Sequence, residues 1–351
     1  MSFSLFRLHF KGPVHFGVAG IGLEELEVRL SSDSLTSALI NAFAVMEGPE
    51  GAEELVSQLV SSDPPFIISS LFPFGPDPEK PDEPVEALVR PLVPPLVADH
   101  QSMRRLGKEL KKISYLRPED FLLWVGNDPL ETEHLEDIVS RSQTLTSGWW
   151  DEEIRPRVAL DRTSQNSVIW SQAAIWFRNE QRAQGATVRT VGSGLYGLVW
   201  FREESWREKL AAAFAILGDT GLGGERTYGL GLFRFGGFES PGSRMERILK
   251  GMTRCKVFLS VYYPAPGERH RLKDVLEAWE YVERRGYVVT GRYTTTLKRK
   301  RVRMLAEGSV AKENLKGSMV DVTPNGAEAF GLKHRVYRSG LVFLAPFGDR
   351  T

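Results

Sequence analysis

The sequence is poor in cysteine, in long apolar runs and in net charge, and each shortage excludes a class of protein. Its single cysteine, Cys255, excludes an internal disulfide framework and any metal site built from several cysteines. No apolar run reaches the roughly eighteen residues that a membrane-spanning helix needs. The N-terminal segment MSFSLFRLHFKG alternates and carries charge, unlike a signal peptide. We therefore expect a cytoplasmic protein that does not span a membrane.

The charge balance conceals an asymmetry. The chain has 45 basic and 45 acidic residues, which argues weakly against non-specific nucleic-acid binding. From Ser240 onward, however, 22 lysines and arginines stand against 11 aspartates and glutamates, so the earlier part is acidic by the same margin. Either the two parts complement each other, or the basic part faces a polyanion.

The order of predicted elements indicates an α+β fold. A chain of 351 residues favours two domains. In residues 1–240, strand-like alternation in FSLFRLHF, SVIWSQAAIWF, SGLYGLVWF and GLFRFGGFE is interrupted by helical periodicity in SSDSLTSALINAFAVM and around residues 206–217. This order is that of a ferredoxin-like or RRM-like unit with insertions. Residues 241–351 contain a second, smaller candidate for the same fold, so we predict two RRM-like domains.

Three local predictions concern the insertions and the second unit. Residues 73–95 contain eight prolines, which favours a loop or an arm laid over a surface. The stretch 99–140 reads as helical pieces with an acidic, solvated face at residues 128–137, and we interpret it as an insertion. RLKDVLEAWEYVERR, residues 271–285, predicts a helix whose apolar face contains Leu272, Val275, Leu276, Trp279 and Val282.

The stretch GDTGLGGERTYGLGLFRFGG, residues 218–237, contains eight glycines and is the strongest local signal. A Walker A loop is excluded because Gly224 and Glu225 stand where a lysine and a hydroxyl are required. A Rossmann loop is excluded because this loop joins a helix to a strand, the reverse of that motif. Either its unobstructed amides form an anion-binding concavity, with Arg226 and Arg234 on phosphates and Tyr228 on a base or sugar, or it is a tight packed connection.

Several motifs together resemble one protein family. GLGGERTYGLGLFRF is similar to the glycine-rich loop of the RAMP superfamily, the RRM-like RNA-binding subunits of CRISPR effector complexes. VALDRTSQNSVIWSQAAIWF resembles the thumb hairpin of that superfamily. VHFG with SSDSLTSALINAF, and RMLAEGSV with HRVYRSGLVFLAPF, resemble the two halves of the Csm subunit that caps the 5′ end of the guide RNA. The resemblance implies the fourth subunit of a type III-A (Csm) complex.

The resemblance implies roles for several residues. In the thumb, Arg157, Asp161 and Arg162 are expected to contact RNA beside an intercalating wedge, although an ordinary hairpin with an Asp161–Arg162 pair is the other interpretation. The glycine loop contributes the amides of residues 221–224. The RNA-binding residues predicted there are Gly221, Gly223, Gly224, Arg226 and Tyr228.

His15 and Asp33 admit other chemistry. Some RAMP relatives are endoribonucleases that use a histidine as general base, and His15 lies in a glycine-flanked loop after the first strand. No second proton-transfer group is identifiable by spacing, so we expect His15 to contact RNA, with a guide-processing endoribonuclease as the alternative function. Asp33 stands directly before a helix, where its carboxylate would cap free amides.

The run KRKRVR, beginning at Lys298, is either a solvated surface or an RNA contact. We expect its first four residues to bind RNA: Lys298, Arg299, Lys300 and Arg301. His334, Arg335 and Arg338 are weaker candidates for the same surface. The resemblance thus implies a non-catalytic scaffold in antiviral defence that has no cofactor or metal. It would bind the crRNA 5′ handle and dock the large polymerase-like subunit and the backbone subunit.

Overall fold

The computed structural model describes residues 1–17, 26–160, 163, 166–178, 191–289 and 296–348, which form a mixed α and β protein. The helices of these residues are α1 (Ser32–Val60), α2 (His100–Lys112), α3 (Pro118–Trp124), α4 (Thr132–Leu145), α5 (Trp206–Thr220), α6 (Gly242–Lys250) and α7 (Leu272–Val275).

The strands up to residue 239 are β1 (Ser2–Phe10), β2 (Phe66–Ile68), β3 (Phe72–Pro76), β4 (Pro84–Glu86), β5 (Leu88–Val89), β6 (Tyr115–Leu116), β7 (Trp150–Leu160), β8 (Ser167–Phe177), β9 (Gly194–Phe201) and β10 (Phe233–Glu239). The later strands are β11 (Lys256–Phe258), β12 (Leu276–Ala278), β13 (Tyr281–Arg284), β14 (Tyr287–Val289), β15 (Thr296–Lys298), β16 (Val302–Leu305), β17 (Val310–Ala311), β18 (Met319–Asp321), β19 (Tyr337–Ser339) and β20 (Leu344–Ala345).

An antiparallel sheet of six strands forms the centre of the protein, in the order β10-β1-β9-β3-β4 with β2 also paired to β9. Strand β9 is buried throughout. Its side chains alternate between two apolar cores: Tyr196 and Leu198 lie in one, Leu195 and Val199 in the other. A strand buried on both faces reads as a continuous apolar run, as SGLYGLVWF does.

The two cores have different partners. On one face of the sheet, α1 and α5 pack through residues at helical spacing, including Leu210, Phe214 and Leu217 of α5. On the other face, the core contains Phe121 from α3 together with Val257 and Phe343 from the C-terminal part. This second core joins side chains from before and after residue 240. The insertion and the C-terminal part therefore pack together on the same face of the central sheet.

The α+β class is confirmed, as several antiparallel sheets combine with helices. The division into ferredoxin-like domains at residue 240 remains a prediction. Backbone hydrogen bonds connect the two parts, with Ser70 N–H donating to the Leu259 carbonyl at 2.8 Å and Leu92 N–H to the Gly308 carbonyl at 2.9 Å. No helix within the described ranges combines the length and apolar character needed to cross a membrane.

The prediction that residues 73–95 form a surface arm is wrong. This segment contributes β3, β4 and β5, and Phe74 and Val85 are buried. The prolines are accommodated because Pro76 pairs with Pro84 at the end of the β3–β4 ladder. The Pro73 carbonyl still accepts a hydrogen bond, from Ala87 N–H at 3.0 Å.

The prediction of a helix over residues 271–285 is also wrong. Only α7 is helical, and the chain then extends through β12 and β13. Strand β13 pairs antiparallel with β16, so that Tyr281 lies opposite Leu305. The apolar periodicity fitted a helix, but pairing with a strand about twenty residues further along outweighs local propensity. Trp279, expected on the buried helix face, is instead exposed.

Candidate nucleic-acid interface

The glycine-rich loop turns the chain sharply from α5 into β10. Gly221 ends α5 with φ +84°, and Gly223 follows with φ +96°, both in the region that side chains rarely adopt. A short 3₁₀ turn, Arg226–Tyr228, comes next. A Cβ atom on Gly223 would lie 2.6 Å from the His15 carbonyl oxygen. Glycine is required at position 223 because the loop packs directly on the segment after β1.

Three of the four amides predicted to bind phosphate already donate hydrogen bonds within the protein. Gly221 N–H donates to Leu217 at 2.8 Å, Leu222 N–H to Gly231 at 2.9 Å and Gly224 N–H to His15 at 2.9 Å. The expectation of unobstructed amides is therefore wrong for these three residues, since each N–H already donates to a carbonyl of the protein. Their contribution is to bring the loop close to His15.

His15 is nearly buried between the glycine loop and the thumb. Its Nδ1 lies 2.8 Å from the Ala173 carbonyl oxygen. A carbonyl only accepts, so Nδ1 donates this hydrogen bond and Nε2 remains as the second polar atom of the ring. The neighbouring Val14 exchanges two backbone hydrogen bonds of 2.9 Å with Ile175 in β8. The thumb is thereby anchored beside His15.

A cleft of about 330 Å³ with a polar lining lies between the glycine loop, the start of α1 and the C-terminal part. Ser34, Ser37 and Asn41 line it along one face of α1, while the segment from Gly221 to Gly224 lines the opposite side. Its most prominent residues are basic. We call it the arginine cleft after the five arginines that line it: Arg29, Arg226, Arg284, Arg299 and Arg338.

Asp33 lies behind the cleft and holds two of these arginines. It is fully buried, Arg338 Nη1 donates to its Oδ2, and Arg284 Nε lies 3.4 Å from the same oxygen. The predicted N-cap role is wrong: Ser31 occupies the N-cap position of α1, and no cap hydrogen bond comes from a side chain there. Two arginines compete successfully with the helix amides because a charged hydrogen bond is the stronger one.

The basic run is divided by the structure. Arg299 lines the arginine cleft, whereas Lys298, Lys300 and Arg301 are exposed. Burial, and after it the charge of Arg338, lower the pKa of the Arg299 guanidinium. Arg299 Nε is also buried without a hydrogen-bond partner among the described groups. Positive charge is thus concentrated at the cleft beyond what its own carboxylates neutralise.

Arg29 was missed by sequence reasoning and belongs to a second buried ion network. It pairs with Glu27, which also lines the cleft, and Glu307 lies nearby. Burial by itself raises the pKa of Glu307, but Arg29 and a hydrogen bond from Ser70 bring it below its usual range. Glu307 is therefore ionised inside the protein and fixes Arg29 electrostatically.

The thumb hairpin is confirmed as two strands, β7 and β8, in one antiparallel ladder. Arg157 Nε donates to Gln172 Oε1 at 2.8 Å, and its guanidinium lies over the ring of Tyr228. The structure thus brings the thumb and the glycine loop together. Asp161 and Arg162 lie outside the described residues. Beyond Arg157 the hairpin presents exposed apolar side chains, namely Val158, Leu160, Val168, Ile169 and Trp170.

Sequence reasoning therefore found His15, the glycine loop, Arg226 and Arg299, and it missed Arg29 and Arg284. Arg284 was missed because residues 271–285 were predicted to form a helix. The polar spacing of Ser34, Ser37 and Asn41 was a usable signal, since these positions share one helix face. Among the described residues there is no group of three metal-binding side chains.

Comparison with known proteins identifies what the chain resembles. Residues 253–347 match the CRISPR Csm4 C-terminal domain family. The CRISPR system Cms protein Csm4 of Thermococcus onnurineus is 28% identical over 320 residues, which cover 89% of each chain. That of Methanocaldococcus jannaschii is 26% identical over 162 residues, or 42% of each chain.

Two crystal structures share the fold over nearly the whole chain. The Csm3–Csm4 subcomplex of the type III-A CRISPR-Cas interference complex matches with a TM-score of 0.58 and 16% identity, covering 99% of this chain and 100% of that chain. The Csm1–Csm4 cassette in complex with AMPPNP matches with a TM-score of 0.54 and 21% identity, covering 99% of both chains.

Proposed function

The resemblance to the Csm4 subunit of type III-A CRISPR complexes, which the motifs predicted, is confirmed, and from it we propose that this protein is a non-catalytic RNA-binding scaffold. It holds the 5′ handle of the crRNA in the arginine cleft. It also docks the large polymerase-like subunit and the backbone subunit, by analogy with the Csm1–Csm4 and Csm3–Csm4 assemblies.

The observation that carries this proposal is the charge of the arginine cleft. Five arginines line it, against one lining carboxylate, Glu27, and two buried carboxylates behind it, Asp33 and Glu307. Guanidinium groups bind phosphates through paired N–H donors, and their planes also stack on bases. A cleft with an excess of arginine therefore suits an RNA backbone better than a neutral ligand or an acidic peptide of one or two charges.

Tyr228, two residues after the cleft residue Arg226, adds a stacking surface. Tyr228 is 63% exposed, and Arg157 supports one face of its ring. The rest of the ring is available to a base, and such stacking is tolerant of sequence. On the far side, Ser34, Ser37 and Asn41 offer hydroxyl and amide groups that suit base edges or 2′-hydroxyls.

The proposal is tested with two cleft arginines and a matched control. Arg226→Ala with Arg299→Ala removes two phosphate contacts, and Arg104→Ala removes an exposed arginine of α2 outside the cleft. Affinity for a repeat-derived guide RNA should fall at least about tenfold in the double variant, or about 1.4 kcal/mol. The slope of log K against log salt should shrink by about 0.7 for each lost phosphate contact on a single strand. Equal affinities in the double variant and the Arg104 control would refute the cleft assignment.

The endoribonuclease alternative rests on His15. Its Nδ1 proton is engaged by the Ala173 carbonyl, and the carboxylate lining the same cleft, Glu27, is paired with Arg29. This arrangement supports a binding role, because cleavage needs a second proton-transfer group beside Nε2 of His15, and Glu27 is held by Arg29. Metal-independent cleavage of repeat RNA that disappears in His15→Ala would establish the alternative and overturn the scaffold proposal.

Docking is tested separately from RNA binding. The protein should co-purify with the large subunit and with the backbone subunit when all three are expressed together. The Arg226→Ala, Arg299→Ala variant should retain both partners in the absence of guide RNA, because its changes lie inside the cleft. Failure of the unmodified chain to retain either partner would contradict the scaffold role.

A further inference from the structure

Strands β13 to β16 present a second surface that the arginine cleft leaves unused. Along residues 281–288, the odd-numbered positions 281, 285 and 287 are exposed, while Val282 and Arg284 are partly buried and Val288 is buried. We call the exposed side the tyrosine ribbon. It consists of the exposed side chains Tyr281, Arg285, Tyr287, Lys298, Arg301 and Arg303, together with the partly buried Glu283.

Exposed aromatic rings distinguish this surface. Tyr281 is 65% exposed, Tyr287 is 53% exposed, and Trp279 just before the ribbon is 45% exposed. Single exposed rings are common on protein surfaces, but three within nine residues are a concentration that marks an interaction site. Of these rings, Trp279 was expected on the buried face of a helix, and its exposure shows that core packing does not explain its presence.

The charge of the ribbon indicates the kind of partner. Four cations face outward against the single carboxylate of Glu283, which Arg285 and Arg301 already accompany. In the part of the chain that the structure describes, Lys298 and Arg303 have no ion pair. Cores of protein–protein interfaces are depleted in charge, whereas rings interspersed with cations are typical of single-stranded nucleic-acid surfaces.

The spacing of an extended chain also suits a single strand. Alternate residues lie about 6.6 Å apart, roughly twice the 3.4 Å rise of stacked bases. Rings two residues apart, such as those of Trp279 and Tyr281, can therefore each lie between successive bases of an unstacked strand. A duplex would have to lose base pairs before these rings could lie between its bases.

The ribbon and the arginine cleft are built on the same strands. Arg284 of β13 and Arg299, which follows β15, line the cleft, whereas their neighbours Arg285 and Lys298 belong to the ribbon. Because successive strand residues point to opposite faces, an RNA strand that leaves the cleft past these two arginines would pass around the edge of the strands to reach the ribbon. Cations on both sides of these strands favour RNA as the occupant.

We propose that the tyrosine ribbon binds a segment of single-stranded RNA outside the arginine cleft, by stacking on Trp279, Tyr281 and Tyr287 and by phosphate contacts to Arg285, Lys298 and Arg303. This inference depends on the proposed function in one respect, namely that the protein binds RNA. The segment belongs either to the guide beyond its handle or to a target strand, and the two share this chemistry.

The test uses the full chain and two RNA probes. One probe is the repeat-derived handle alone, and the other is a fluorescein-labelled uridine strand of roughly 20 nucleotides, long enough to cover a groove and a platform. The ring variant Trp279→Ala, Tyr281→Ala, Tyr287→Ala should bind the long strand at least about tenfold more weakly and the handle unchanged. The matched variant with phenylalanine at all three positions keeps the rings and should bind both probes as the unmodified chain does.

The outcomes separate this inference from the proposed function. If the ring variant binds the long strand within about twofold of the unmodified chain, the inference is overturned while the cleft stands. If Arg226→Ala with Arg299→Ala leaves handle binding unchanged but the ring variant loses the long strand, the cleft assignment fails and the ribbon stands. If the unmodified chain binds neither probe, both fail. Loss of a partner subunit with unchanged RNA binding would make the ribbon a protein interface and overturn the inference.

The source of the RNA is then identified in the assembled complex. Photoreactive 4-thiouridine is placed in the guide in one arm and in the target in the other. Crosslinks to Tyr281 or Tyr287 should appear in one arm and should be lost in the alanine ring variant. Absence of crosslinks from both arms would contradict an RNA path over the ribbon.

Discussion

Arg157 in the thumb lies over the ring of Tyr228 in the glycine loop, with the guanidinium carbon 5.1 Å from the ring centroid. The two residues are 71 positions apart in sequence, and they join the two elements most characteristic of the RAMP resemblance. Gln172 fixes the other side of the guanidinium through a 2.8 Å hydrogen bond. The pair forms a platform close in sequence to Arg226, which lines the arginine cleft.

We predict that Tyr228→Ala weakens guide binding about tenfold, because it removes one stacked ring worth about 1–3 kcal/mol. Tyr228→Phe should bind as the unmodified chain does, since the ring and its contact with Arg157 remain. Fluorescence anisotropy with labelled guide RNA measures both. Arg157→Ala combined with Tyr228→Ala should cost less than the sum of the single changes, because the residues act as a unit. Strict additivity would show that they bind RNA independently.

Asp33 is predicted to be essential for stability. Asp33→Ala leaves Arg338 and Arg284 without their shared carboxylate, which should lower the free energy of unfolding by about 3 kcal/mol. The matched control is Asp63→Ala, where the lost pair with Arg202 at 3.0 Å involves a half-exposed carboxylate, and the expected cost is below about 1 kcal/mol. Urea unfolding of both variants checks this.

RNA should partly rescue the Asp33 variant. A phosphate in the arginine cleft provides the negative charge that Arg338 and Arg284 have lost, so added guide RNA should raise the Tm of Asp33→Ala by more than that of the unmodified chain. Equal shifts in the two proteins would show that the RNA does not approach these arginines.

The sequence was informative where local pattern and burial agree. Helix α5 and strand β9 were predictable because their apolar residues follow the periodicity of the faces they bury. The thumb was predictable because two apolar strands flank a polar turn. In residues 271–285, by contrast, the apolar spacing fits a helix, but pairing of β13 with β16 makes the later part of the segment extended.

The arginine cleft could be predicted only in part. Arg226 and Arg299 stand in conspicuous motifs, whereas Arg29 and Arg284 come from unremarkable segments that the fold brings together. The predicted use of loop amides failed for a related reason. The carbonyl that occupies the Gly224 amide belongs to His15, more than 200 residues earlier, and no local pattern reports such a contact.

Gly223→Ala should be more destabilising than Gly229→Ala. Both glycines have positive φ, +96° and +79°, so both variants carry backbone strain of order 1 kcal/mol or more. Only at Gly223 would the new Cβ collide, 2.6 Å from the His15 carbonyl, whereas nothing lies within 4 Å of a Cβ at Gly229. The difference between the unfolding free energies of the two variants therefore measures the cost of the collision with the His15 carbonyl. Equal values would indicate that the loop moves away from His15 at little cost.

Cys255 is expected to make stability depend on alkaline pH. Burial raises the pKa of its thiol from 9.0 to about 11 in the folded protein. The folded state therefore holds the proton more tightly, so this contribution to stability is complete below pH 9 and is lost as the pH rises towards 11. Urea midpoints measured from pH 8 to 11 should fall more for the unmodified chain than for Cys255→Ala, whose side chain does not titrate.

The comparison with Cys255→Ala is necessary because lysines and tyrosines also titrate in this range. Burial raises the pKa of Tyr196 and Tyr262 in both proteins, so their effects cancel in the difference. A second readout is alkylation by iodoacetamide, which requires the thiolate. At pH 8 the folded protein should react far more slowly than the urea-unfolded chain, and equal rates would contradict the burial of this thiol beside β11.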